Sequence, residues 1–227
     1  MTPLDLPDLP RWVEAHGIAA DAASWRRDFA GGAYAVGSDR SKLIVLAESG
    51  HEAASITAAR DLIDSYPTHT LLVATHSVAQ GVGGRAVERA ILHTLPDASD
   101  LPVQEGAVIL ESDAPTDHLR PEVIEELVAA RGHRAVWSAW IDGVPVAFAH
   151  APWRSATLFD LSVDVAPTAR QLGLGALVAS AAIRAERAEG REPVWGADEN
   201  NVASQRLAHR LGFVAVDAIH VLAPVRT

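Results

Sequence analysis

Within Leu158–Gly175, LFDLSVDVAPTARQLGLG, two kinds of reactive chemistry lie close together. One is the carboxylate pair Asp160 and Asp164. The other is the run Arg170-Gln171-Leu172-Gly173-Leu174-Gly175-Ala176. Phe159, Leu161, Val163 and Val165 alternate with Asp160, Ser162 and Asp164, a period of two that predicts a strand with the carboxylates on its polar face. A Val165-x-Pro167 turn and an Arg170-x-x-Gly173-x-Gly175 loop then lead into a long helix. Such a loop gathers unbonded N–H groups at a helix N-terminus, where the helix dipole favours an anion such as a phosphate. A strand carboxylate beside it has the chemistry of a general base, provided it reaches the substrate and has a suitable pKa.

A second constellation follows in the chain. Asn201-x-x-Ser204 precedes Leu211-Gly212-Phe213, with Ser204, Leu207, Ala208 and Leu211 as the inward stripe of a helix. Asn200 or Asn201 suits its N-cap, His209 and Arg210 complement its last turn, and Gly212 suits its C-cap. Taken singly, these features describe ordinary turns and caps. Their combination and order resemble the GNAT superfamily of N-acetyltransferases, from about Ala107 to the C-terminus, roughly half the chain. The Pro193-x-Trp195 strand that feeds the Asn helix is similar to a GNAT subgroup with an extra N-terminal region.

The resemblance implies an α/β fold with a mixed sheet and an acyl-CoA N-acyltransferase domain over 103–227; it does not explain residues 1–102, whose pattern reads as a smaller α/β region of unknown role. It implies acetyl-CoA as cosubstrate and no metal. The pyrophosphate would lie on the backbone of Gln171, Leu172, Gly173, Leu174, Gly175 and Ala176, with Arg170 adding charge. N–H groups near Val163 and Val165 would serve the thioester carbonyl, and Asn201, with Ser204 beyond it, would border the pantetheine arm. Direct attack by a primary amine in a ternary complex is the implied reaction. Asp160 is nearer than Asp164 to the position that the resemblance suggests for the base. Many family members place a Tyr seven residues after the Asn, as acid to the departing thiolate, and here that position is Ala208. Ser204 and His209 are the nearby substitutes, unless coenzyme A leaves as the thiolate. The loss of the Tyr also suits a non-enzymatic alternative, a degenerate module binding acyl-CoA or a partner for regulation.

Composition bounds the rest. The chain has 227 residues, long enough for one large domain or two small ones, and no cysteine, so disulfides and thiolate chemistry are out. Its formal charge of −10 argues against general nucleic-acid binding and mildly favours a cationic acceptor, a small-molecule amine or a peptide. No apolar run spans a bilayer and the N-terminus lacks a secretory pattern, so a cytoplasmic protein is expected, without a membrane partner and with room for a homodimer.

Ahead of the motifs, the pattern predicts short helices around Trp12 and Trp25, strands at 33–36 and 42–47, and a helix at 51–65. A strand follows at 70–75 and a helix at 85–95. Gly81-Val82-Gly83-Gly84 would lie between those last two as a Gly-rich loop, without the Lys-Ser/Thr of a phosphate loop. Pro96–Pro102 is the linker candidate. Beyond it come a strand at 107–111, a helix at 120–131 with Glu122, Glu125 and Glu126 in its early turns and Gly132 as cap, and an Asp142-Gly143 hairpin. Two rival chemistries fail on spacing. A dinucleotide fingerprint would need its first Gly directly after the strand and a Gly at Val178, and the His51-Glu52 start of an HExxH pattern has Ser55 where the second His belongs.

Overall fold

The computed structural model describes residue 4, residues 6–97, residue 101 and residues 105–131 and 135–224. Gly132, and Ala98–Asp100 and Pro102 of the expected linker, lie outside the described residues. The elements run α1 (Val13–Ala19), β1 (Ser24–Asp28), β2 (Tyr34–Ser38), β3 (Leu43–Ala47), α2 (Glu52–Ser65), β4 (Thr70–Val73), α3 (His76–Val82) and β5 (Val87–Thr94). They continue with β6 (Val108–Ile109), α4 (Pro121–Arg131), β7 (Trp137–Ile141), β8 (Val144–His150), β9 (Leu158–Asp160) and β10 (Ser162–Val165). The last are α5 (Leu174–Ala188), β11 (Glu192–Asp198), α6 (Val202–Arg210) and β12 (Val214–Leu222).

The chain folds as two compact units. Residues 1–93, 196–202 and 215–227 form the first, and residues 94–195 and 203–214 the second. The first crossing, at 93/94, lies near the expected boundary at 102, and the chain then returns to the first unit twice.

In the first unit, β1, β2 and β3 form an antiparallel meander, and β4 lies parallel to β3 after the α2 crossover. The C-terminal strand β12 pairs antiparallel with β4, His220 to Leu222 against Val73 to Leu71. Leu46, Leu62, Leu71 and Leu222 share its core. Trp25 lies on β1, not on a helix. It sits opposite Gly37 in register, stacks on Tyr66 at 5.2 Å, and would collide with any Cβ at position 37. Residues 85–95 are likewise not helical, because β5 occupies 87–94. Its Ala, Glu, Arg and Leu content favours helix, but Leu92 and His93 are both buried within the sheet, and packing overrides a weak propensity. The Gly81–Gly84 run also changes meaning. Gly81 and Val82 end α3, and Arg60 donates to their two carbonyls at 2.5 and 3.2 Å. A helix C-terminus presents oxygens, so this run is no phosphate cradle.

The second unit has an antiparallel sheet of order β10-β8-β7-β6, with the Asp142-Gly143 hairpin between β7 and β8. The expected single strand at 158–165 is broken in two. β9 pairs parallel with β11 as far as Asp160 opposite Val194, the Leu161 N–H donates to the Val194 carbonyl at 2.9 Å, and β10 then joins β8. α5 packs Leu177, Val178, Ala181 and Ile183 inward. Glu186 of α5 is nearly buried and takes Arg154 and Arg191 as ion-pair partners, the latter at 2.7 Å. That pairing ties the approach to β9 and the start of β11 to one helix.

Burial alone would raise the Glu186 pKa, but the hydrogen bonds and charges of Arg154 and Arg191 outweigh it and hold the group below its ordinary value of 4.5. A depressed carboxyl adds stability that is complete above its unfolded value and is lost as pH falls through its folded value. Glu186→Gln is therefore expected to cost about 2 kcal/mol at pH 7, since it leaves two guanidinium groups without their anion. Urea unfolding at pH 7 and pH 3 checks this: the gap between variant and wild type should shrink at the lower pH.

Candidate functional site

The loop between β10 and α5 is built from backbone first. Pro167–Ala169 forms a 3-10 turn, Arg170 is extended, and Gln171 and Gly173 take positive φ of 67° and 82°. Only glycine adopts that geometry at low cost, so Gly173 is the N-cap that turns the chain into α5. Nothing lies within 4 Å of where its Cβ would be, so the surface above it is open. The N–H groups of Leu174 and Gly175, at the helix start, have no intrahelical acceptor, whereas those of Ala176 and Leu177 reach the Gly173 carbonyl. Arg170, Gln171 and Leu172 are exposed around this opening.

Gly175 works differently. It is buried, and a Cβ there would stand 3.0 Å from Leu207 and 3.2 Å from Val165. Its missing side chain lets α5 close onto β10 and α6. The two glycines thus differ: the backbone at Gly173 is open to an approaching group, whereas the missing side chain of Gly175 serves the packing of α5.

β10 is an edge strand, paired on one side with β8. Val163 stands opposite Ala149 and Val165 opposite Ala147, and the Ala166 N–H donates to the Val146 carbonyl at 2.8 Å. Antiparallel pairing alternates, so residues 162, 164 and 166 direct their N–H groups at β8. The N–H groups of Val163 and Val165 point to the opposite, unpaired edge, the orientation that a donor to a carbonyl oxygen requires.

Asp160 closes β9 at the strand break. Burial first, and the charge of Glu126 second, push its carboxyl up to about 7, against the lowering effect of the Leu161 N–H. Asp164 is also raised, by burial first and Glu126 after, while Arg120, at 3.5 Å, and Arg170 pull it down. Of the two strand carboxylates, Asp160 is the one whose proton affinity is matched to neutral pH. Glu126 of α4 and His150 of β8 complete the cluster. The Ser162 hydroxyl donates to Glu126 at 2.7 Å, and His150 Nε2 lies 3.4 Å from the same oxygen. Sequence reading missed both. Glu126 read as one of several acids in an early helical turn, and a lone His ending an apolar strand carried no motif.

The remaining candidates are more dispersed. The Ser204 hydroxyl accepts from the Trp195 indole N–H at 2.9 Å, and that ring stands edge-on to Phe213, so Ser204 is joined to the core. His209 is exposed in the last turn of α6, while Ala208 is fully buried. Asn201 belongs to the segment 196–202 of the first unit, directly before α6, and its N–H donates to the Asp198 carbonyl at 2.9 Å. Asp198 closes that turn again, accepting from the Asn200 N–H at 2.6 Å. Among the described residues, no group of three or more His, Cys, Asp or Glu is placed to hold a metal ion, and no helix is long and apolar enough to cross a membrane.

Comparison with known proteins agrees with this architecture. Residues 104–213 match the model of the acetyltransferase (GNAT) family, so the chain carries a GNAT domain over that stretch. The fold is similar to that of a GCN5-related N-acetyltransferase from Kribbella flavida, with a TM-score of 0.66 at 18% identity over 95% of each chain. It is also similar to a GCN5-related N-acetyltransferase-like protein from Streptococcus suis, with a TM-score of 0.63 at 16% identity, covering 96% of this chain and 93% of that one. A tandem GNAT protein from the clavulanic acid biosynthesis pathway matches with a TM-score of 0.51 at 16% identity over 96% of this chain and 95% of its own. No curated protein matches in sequence. The matched structures extend well beyond residues 104–213, so the mixed α/β fold they share takes in the N-terminal region as well.

The two glycines should separate by experiment. Gly175→Val is expected to lose about 2 kcal/mol through overpacking against Leu207 and Val165. Gly173→Ala should lose about 1 kcal/mol from its left-handed φ alone. Thermal melts of the two variants measure the difference.

Proposed function

We propose that the protein is an N-acetyltransferase that moves an acetyl group from acetyl-CoA to a primary amine by direct attack within a ternary complex. The observation that carries the reading is the open surface over Gly173 at the start of α5, next to an edge strand whose Val163 and Val165 N–H groups are unpaired. These groups fit an acyl-CoA. The N–H groups of Leu174 and Gly175 at the helix start, with Arg170 exposed beside them, suit a pyrophosphate. The edge of β10 suits a thioester carbonyl.

The cosubstrate supplies an activated acyl carbon. The chain's own part is to orient that carbonyl through the β10 edge and to accept the amine proton at the Asp160 carboxylate. The C–N bond forms as the C–S bond breaks, and amine plus thioester become amide plus thiol. Ala208, buried and without a donor, leaves no side-chain acid at the family's Tyr position, which suits departure of coenzyme A as the thiolate. The same residue favours one other reading, a module that binds acyl-CoA without turnover.

Release of free thiol from acetyl-CoA, measured across a panel of small amines, amino acids, polyamines and peptides, separates these readings. Thiol release with one class supports the enzyme. Coenzyme A binding without turnover favours the module, and no binding at all would sink both. With a base near 7, kcat/KM should rise with pH through about 7 and then level off, because Asp160 works in its deprotonated form. Asp160→Asn should lower kcat/KM by roughly 10²-fold or more while leaving coenzyme A binding intact.

A further inference from the structure

The first unit holds an open cleft of about 850 Å³, a size usual for a small-molecule site. Every residue that lines it lies outside 104–213, so the family match does not account for it. Arg11, His76, Arg89, Asp217 and His220 supply its polar wall, and Ile91, Val216 and three alanines the apolar one. The His76 and His220 rings stand 5.0 Å apart. His220 is 6% exposed, and its Nδ1 is buried without a hydrogen-bond partner. Buried polar atoms are nearly always bonded, so an orphaned imidazole nitrogen on a cleft wall marks bonding that the protein alone does not complete.

The bonding capacity left over in the cleft is of one kind. Arg11 Nε donates to one Asp217 oxygen at 2.6 Å and Nη2 to the other, which also accepts from the Ala218 N–H at 2.8 Å. Glu48, whose charge reaches His220, is likewise taken, by the Ala74 N–H at 2.6 Å and by the N–H and hydroxyl of Thr75. A guanidinium, however, carries five N–H donors. Arg11 spends two of them on Asp217, and Arg89, 48% exposed, spends one on Glu199 at 3.4 Å. Acceptors are used up and donors remain, and charged donors bind carboxylate and phosphate oxygens best. His220 feels the same field: burial first, then the charges of His76 and Arg89, hold it below its ordinary value of 6.5, with Glu48 and Glu199 opposing.

We propose that this cleft binds a small organic anion, its carboxylate or phosphate head on Arg89, Arg11 and the two imidazoles and its apolar body on Ile91 and Val216. Such a site stands whether or not the second unit transfers acetyl groups. The test titrates the full chain with benzoate, phenyl phosphate and, as an uncharged match, benzyl alcohol, and follows the histidine ring signals by ¹⁵N NMR. His76 is exposed, so His76→Gln assigns its signal without disturbing the core, and His220→Gln assigns the other. Saturable shifts of these signals with either anion are expected, and the tighter of the two names the head group. Arg89→Gln should raise Kd by roughly tenfold. Arg40→Gln, an exposed change of equal charge elsewhere in the unit, should leave Kd in place. Binding should tighten by roughly threefold or more from pH 8 to pH 6, because a protonated imidazole attracts the anion. Signals of both histidines that stay put with either anion overturn the proposal. So does benzyl alcohol binding as tightly as the anions, or a Kd that Arg89→Gln leaves unchanged.

Discussion

The hydrogen bond from the Leu161 N–H to the Val194 carbonyl is the hinge of the second unit. Up to that bond the chain is bound to β11; one residue later it pairs with β8. A strand that changes partner must leave one edge unpaired, and unpaired edges usually invite aggregation. Here the unpaired edge is only the length of β10 and ends in the Pro167 turn, so its free N–H groups are few and local. The break also sets Asp160 apart. As the last residue of β9 it is too deep for full solvation and too close to Glu126 to ionise as an ordinary aspartate does.

The parts around the hinge depend on it in sequence. Gly175 lets α5 approach β10 and α6, which brings the start of α5 up to Val165 and Val163 of the edge strand. Glu186, two residues before the end of the same helix, gathers Arg154 and Arg191 and so holds the chain on either side of the β9–β11 pairing. The β10 edge, the Asp160 carboxyl and the start of α5 thus lie on elements tied to one another by packing and ion pairs. Preorganisation of this kind saves the reorganisation that water would otherwise require as charge develops.

Much of this was legible in the chain. The period-two pattern at 158–165, the Asp142-Gly143 hairpin and the loop spacing lead to the correct fold family, because each is a local signal. The strand break was invisible, since alternation continues unbroken through Leu161 while the partner strand changes, and partners are a long-range matter. β5 and β1 were misread for a related reason: their composition suits helices, and only burial of Leu92 and the seat of Trp25 on Gly37 make them strands. Within the site, the backbone candidates could be found from glycine spacing. Glu126 and His150 could not, because what distinguishes them is a shared contact between residues far apart in the chain.

The path of the chain carries a consequence for how this protein can be divided. Strand β12 begins in the second unit, but from Ala215 onward it belongs to the first, where His220–Leu222 complete the edge of β4. A gene segment cut near the middle would therefore carry away the closing strand of the part it leaves behind. The matched stretch 104–213 does not coincide with one unit either, because residues 196–202 within it belong to the first. The two units are interleaved along the chain and would be inherited together.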